Sequence, residues 1–193
     1  MFRFILPLMF VCGFSSFALA QDASEGPVEP NPLVKLTWEQ VDAPDRVFPF
    51  DDEVNACIEQ DRYNNRGFGE PCIWVPNKYC PDPNVDRPGT HAARSCYSYV
   101  RAFWDRRLDE AYADIFAHYV ETDREKPAEK QRAPMLDSLQ EKWIDWRDAK
   151  CGFIPKQTSF YSPWVNIEAV GCVNDMTAIR VLELEDLRRL LGY

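Results

Sequence analysis

The chain is poor in the residues on which most enzyme chemistries rest. Of its 193 residues only two are histidine, His91 and His118, and only eight are glycine. No Gly-x-Ser-x-Gly turn and no phosphate-cradling glycine loop occurs. Neither Cys-x2-Cys nor His-x3-His spacing is present, which removes the usual zinc patterns. Beyond the first twenty residues no apolar run approaches the ~20 residues that a membrane-spanning helix needs. Positive charge is scarce as well: 22 basic residues face 31 acidic ones, a net charge of −9. Such a balance argues against nucleic acid and against anionic lipid as a partner. It favours solubility or a basic partner.

Acidic groups recur, as in Asp105/Asp109/Glu110, Asp123/Glu125 and Glu183/Glu185/Asp186. They fall on amphipathic stretches and read as solvated helix faces rather than as acid–base pairs. No catalytic residue, cofactor or metal is expected.

The N-terminus has the pattern of a secretory leader. Arg3 supplies the charged region, residues 5–14 an apolar region too short to span a bilayer, and Ala18-Leu19-Ala20 a small-x-small cleavage site. Cleavage is expected after Ala20, giving a periplasmic or secreted protein. Val11 before Cys12 does not suit lipid attachment. Losing the leader removes Arg3 and leaves 21 basic against 31 acidic residues, or −10. Six of the seven cysteines then remain: Cys57, Cys72, Cys80, Cys96, Cys151 and Cys172. An even set behind a leader reads as three disulfides, and six cysteines allow 15 pairings. With every cysteine paired, a cysteine nucleophile is not expected.

Three parts are expected: the leader (1–20), an N-terminal arm (21–50) and a helical domain (51–193). Residues 21–32 are acidic, proline-bearing and nearly devoid of apolar side chains, as in a flexible tail. Val34, Leu36 and Trp38 alternate like a short extended piece, and the aromatics of 33–50 are expected to pack on the domain. Asp51 or Asp52 is placed to cap a short helix to about Arg62. Residues 63–89 form a long loop rich in Pro, Asn, Gly and Asp, which Cys72 and Cys80 would hold.

Three long helices follow. The first starts near Thr90, with Cys96, Val100, Phe103, Leu108, Ala111, Ile115 and Tyr119 as its apolar stripe. The second spans 136–151, with Leu136, Leu139, Trp143 and Trp146 on one face, and should end at Gly152 and Pro155. The third opens at Ser162-Pro163, a cap followed by proline, and runs to about Leu191. It carries Ile167, Cys172, Met176, Ile179, Leu184 and Leu187. The fold class is all-α: a disulfide-stapled antiparallel bundle of about three long helices plus one short helix, with an extended N-terminal arm. Antiparallel packing sets the end of the second long helix beside the start of the third, so Cys151–Cys172 is the expected bridge. The other four cysteines then pair among themselves, one of them docking the short helix on the bundle.

The densest pattern is Leu136, Leu139, Gln140, Trp143, Ile144, Arg147, Asp148, Ala149 and Cys151. Upstream stand Cys96, Trp104, Asp105, Leu108 and Tyr112; downstream stand Cys172, Thr177, Arg180 and Leu184. Together these residues resemble the signature of the LprI-type, lysozyme-inhibitor-like periplasmic domain family. The resemblance covers about residues 57–187 and is strongest after Cys96. It departs at Asp109, where the family has asparagine, and at Val100, where an acidic residue is usual. It implies a non-catalytic binding protein that occludes a secreted partner such as lysozyme or another basic protein. The alternative is an envelope protein of structural or immunity type with a different periplasmic partner. Neither the contact residues nor the oligomeric state follows from the resemblance. Trp104, Trp143 and Trp146 read as core, with Trp146 the better candidate for a partner surface. Arg147 is expected to pair with Asp105 or Asp109 inside the bundle.

Overall fold

The computed structural model describes residues 36–44, 46–64, 69–81, 89–157 and 163–192. The leader, the start of the arm, parts of the loop expected at 63–89 and the cap expected at Ser162 lie outside these residues. All described residues fall within one compact unit, and each regular element among them is helical.

Five α-helices run in order: α1 (Trp38–Asp42), α2 (Asp51–Tyr63), α3 (Gly89–Thr122), α4 (Arg132–Gln157) and α5 (Pro163–Leu190). Two 3-10 turns, Glu70–Trp74 and Pro76–Tyr79, lie between α2 and α3, and a third, Ala128–Lys130, lies between α3 and α4. Cross-helix bonds fix the topology. Tyr97 accepts from Asn174 at 2.9 Å, and Arg107 donates to Glu185 at 2.8 Å, so α3 and α5 run parallel. Tyr112 donates to Asp137 at 2.8 Å and Arg132 to Asp123, so α4 returns antiparallel to α3. The result is an up-down-up bundle in which α5 packs most extensively on α3.

The expected α3 stripe is the heart of the core: Val100, Phe103, Leu108, Ala111 and Ile115 are all buried. Trp104 and Tyr99 join them. From the N-terminal side, Leu36, Val41, Phe50, Val54 and Ile58 complete the cluster. Phe50 packs edge-on against Phe103 with ring centroids 4.9 Å apart, a geometry the ring quadrupoles favour. The arm aromatics therefore pack on the domain as expected. The extended reading around Val34–Trp38 is corrected in part, because Trp38 begins a helix. Thr37 caps it reciprocally with Gln40 in a capping box, which offsets the short length of α1.

Three further expectations change. Asp51 and Asp52 lie inside the first turn of α2 rather than capping it, where their charge still suits the helix dipole. The loop at 63–89 contains the two 3-10 turns. Helix α4 does not stop at Gly152 and Pro155 but continues to Gln157. The backbone bond that proline removes is confined to the last turn.

The disulfides are Cys57–Cys72, Cys80–Cys96 and Cys151–Cys172. Cys151–Cys172 joins α4 to α5 as expected, and the other four cysteines pair among themselves. Helix α2 is tied to the first 3-10 turn, not directly to the bundle. Val54 and Ile58 pack it into the core, and Arg107 of α3 adds a polar link, donating to Asn55 at 2.9 Å and to Asp51 at 3.2 Å.

Candidate functional site

The signature residues converge where α4 crosses α5. The inward face of α4 is Leu136, Gln140, Trp143, Arg147 and Cys151, at steps of four, three, four and four. Leu136, Gln140, Arg147 and Cys151 are buried, and Trp143 is half-buried against the core. Two polar residues occupy this face because α5 offers each a partner. Arg180 Nε donates to Gln140 Oε1 at 3.1 Å. Arg147 Nη1 donates to Thr177 Oγ1 at 3.3 Å, and Thr177 itself donates to the Val173 carbonyl at 2.8 Å. Both guanidinium groups lie over the Trp143 ring, Arg147 at 5.0 Å and Arg180 at 5.9 Å from its centroid. Each cation is also matched by a carboxylate on its own helix, Arg147 by Asp148 at 2.8 Å and Arg180 by Glu183 at 2.9 Å. The Cys151–Cys172 bridge closes one end of the cluster.

Gln140, Trp143, Arg147, Asp148, Thr177 and Arg180 are thus brought together, and their geometry is that of a clamp between α4 and α5. Trp104 and Leu108 belong instead to the α3 core. Asp105 faces outward and pairs with Arg101 at 3.3 Å. The expected pairing of Arg147 with Asp105 or Asp109 is therefore corrected. Arg147 points to α5, whose Thr177 hydroxyl satisfies it, while Asp105 finds its cation one turn away on its own helix.

The outward side of α4 is a second correction. Leu139 and Trp146, expected beside Leu136 and Trp143, are 59% and 55% exposed. Burying Gln140 and Arg147 turns these two apolar side chains to solvent. Met135 and Phe153 continue the same side and are each 57% exposed. Lys150 lies over the Trp146 ring at 5.0 Å from its centroid.

Arg107 has no part in the signature, yet it is the most connected buried cation described. It bonds Glu185, Asp51 and Asn55 and so joins α3, α5 and α2. Its signal in the sequence is a charge at a stripe position, four residues after Phe103 and four before Ala111. With Arg62, Arg188 and Arg189 it lines a polar cleft that Glu59 and Glu185 share.

The α3–α4 turn is organised by Asp123, 2% exposed. Arg132 reaches it at 2.6 Å and Lys126 at 2.6 Å. The Arg132 guanidinium, followed by Lys126, holds its carboxyl well below the ordinary carboxylate range. Among the described residues no group of three or more His, Cys, Asp or Glu is arranged to hold a metal ion. Among the same residues no helix is long and apolar enough to cross a membrane.

No curated protein and no solved structure matches the chain. The family described as Lysozyme inhibitor LprI matches residues 80–184, a span that takes in Cys80–Cys96, all of α3 and α4, and the α5 residues that close the clamp. More than half of the chain is covered, and the protein belongs to the LprI family.

Proposed function

We propose that this protein is an exported, non-catalytic binding protein that occludes a secreted partner, with lysozyme the first candidate. The family match over residues 80–184 carries this reading. The clamp residues fall within that span, and the three disulfides suit an oxidising compartment outside the cytoplasm. The leader read at residues 1–20 agrees with export.

The physical basis of binding is steering followed by occlusion. A net charge of −9 draws a basic protein in by long-range attraction. A lysozyme is commonly basic outside a cleft that carries two catalytic carboxylates. An inhibitor of this kind needs only to fill or cover that cleft. Segment 153–161, which opens with exposed Phe153 in the last turns of α4, is one candidate for entry.

The test is a cell-wall turbidity assay with purified protein against chicken-type and goose-type lysozymes. Inhibition at near-stoichiometric ratio supports the reading, and none at micromolar excess rejects it. A binding titration at two salt concentrations checks steering, since screening at higher ionic strength weakens a charge-driven encounter.

A further inference from the structure

The outward side of α4 has a spacing that its inward side does not share. Residues 135, 139, 142, 146, 149 and 153 alternate steps of four and three, the repeat of a helix seam that meets another helix. Met135, Leu139, Trp146 and Phe153 on this seam are each 55–59% exposed. Lys142 and Ala149 are exposed as well. The seam extends ~27 Å along the helix. A line of large exposed apolar side chains on one helix side, broken only by Lys142, marks an interaction site more often than an idle face.

We infer that the occupant is a second copy of this chain, with the two α4 helices packed antiparallel about a two-fold axis level with Ile144. The argument is self-complementarity, which a two-fold interface demands. In this register Met135 lies opposite Phe153 of the second copy, and Leu139 lies opposite Ala149. A thioether against an aromatic ring is a favourable contact. Lys142, the charge within the seam, comes level with Trp146 of the second copy, where the indole accepts a cation. It also lies one residue from the level of the second copy's Asp145, on the same flank of the helix pair. Symmetry makes both contacts twice. A parallel pairing would instead set Lys142 against Lys142. Charge complementarity therefore selects the antiparallel arrangement and this register.

A specific interface needs about 1,000 Å² of total buried surface, and one helix pair of this length lies near that lower bound. The dimer is accordingly weak, with a dissociation constant of roughly micromolar order. Phe153 belongs both to this seam and to the segment proposed for lysozyme entry, so dimer and lysozyme compete for it and the oligomeric state is read without lysozyme.

Sedimentation equilibrium of the purified protein from about 5 to about 200 µM, a range that brackets such a constant, tests the inference. The wild type is expected to pass from monomer to dimer across it. The exposed-site variant Leu139→Lys/Trp146→Lys is expected to stay monomeric with an unchanged melting temperature. Lys142→Glu sets a carboxylate against Asp145 and is expected to weaken the dimer about fivefold or more. The swap Lys142→Glu/Asp145→Lys is expected to restore it. A wild type that stays monomeric at the top concentration overturns the inference. So does a dimer indifferent to Leu139→Lys/Trp146→Lys, or a swap that fails to rescue. A monomeric wild type whose lysozyme binding is lost in the seam variant assigns the seam to that partner and overturns self-pairing alone.

Discussion

Replacing Arg107 by methionine removes the cation that holds α2, α3 and α5 together and keeps most of the side-chain volume. The Arg107 side chain is 9% exposed and that of Glu185 11%. Their closest approach is 2.7 Å. In the variant Glu185 loses its nearest cation, and Asn55 loses its donor at 2.9 Å. Breaking a buried pair from one side costs about 3–5 kcal/mol. The lower end applies here. Asp51 is 35% exposed and keeps Arg106, and Arg188 lines the same cleft near Glu185. A loss of about 3 kcal/mol in a domain of this size lowers the melting temperature by about 6–12 °C. Thermal unfolding followed by far-ultraviolet circular dichroism measures it. The double variant Arg107→Met/Glu185→Met removes both charges and should recover to within about 1 kcal/mol of wild type. A single variant that melts within about 2 °C of wild type would show that Arg107 is not what docks α2.

The remaining predictions concern the staple, the ionisable groups and their pH windows. The Cys151–Cys172 bridge closes a separation of 21 residues, so Cys151→Ala/Cys172→Ala should lose about 3 kcal/mol in urea unfolding. Burial pushes the Tyr99 hydroxyl up from 10.0 to about 12. Its protonated form is favoured by folding, so that stability is complete below pH 10 and is lost as pH rises from 10 to about 12. Tyr99→Phe should flatten that alkaline limb in urea titrations, leaving the part due to Tyr79 and Tyr112, also raised to about 12. Asp123 titrates in the opposite sense. Its carboxyl is held below the ordinary 3.8, chiefly by Arg132, so its contribution is present above that value and lost as pH falls below it. Asp123→Asn should lower stability at neutral pH and remove that part of the acid-induced loss.

The three long helices were legible because their apolar steps are regular and Pro127 and Pro163 punctuate their connections, although α4 runs through Gly152 and Pro155 to Gln157. The Cys151–Cys172 pairing was legible because chain reversal leaves few neighbours for a helix end. The partner of Arg147 was not. A helical stripe tells which residues share a face but not which neighbouring helix that face meets, so the carboxylates Asp105 and Asp109 stood as partners and the neutral Thr177 hydroxyl on α5 gave no charge signal. The inward face of α4 was misread for a related reason. Hydrophobicity alone points Leu139 and Trp146 inward with Leu136 and Trp143. Thr177 and Arg180 on α5 reverse that order, because a satisfied polar pair can be buried while apolar surface is left outside. Arg107 passed unnoticed although it sits in phase with the α3 stripe. A charge at a core step is a signal that a buried ion-pair network is present.

Gln140, Arg147, Thr177 and Arg180 have polar groups engaged with one another and with Asp148 and Glu183, and both guanidinium groups lie over the Trp143 ring. They build the scaffold that displays the outer side of α4 and the segment after Phe153.

The most direct test of the account is lysozyme activity on cell-wall suspensions with increasing purified protein, repeated with Cys151→Ala/Cys172→Ala. Occlusion of lysozyme predicts inhibition that saturates near one protein per lysozyme and fades as the variant unfolds. Full lysozyme activity at micromolar excess of folded wild-type protein, with chicken-type and goose-type enzymes alike, would contradict it.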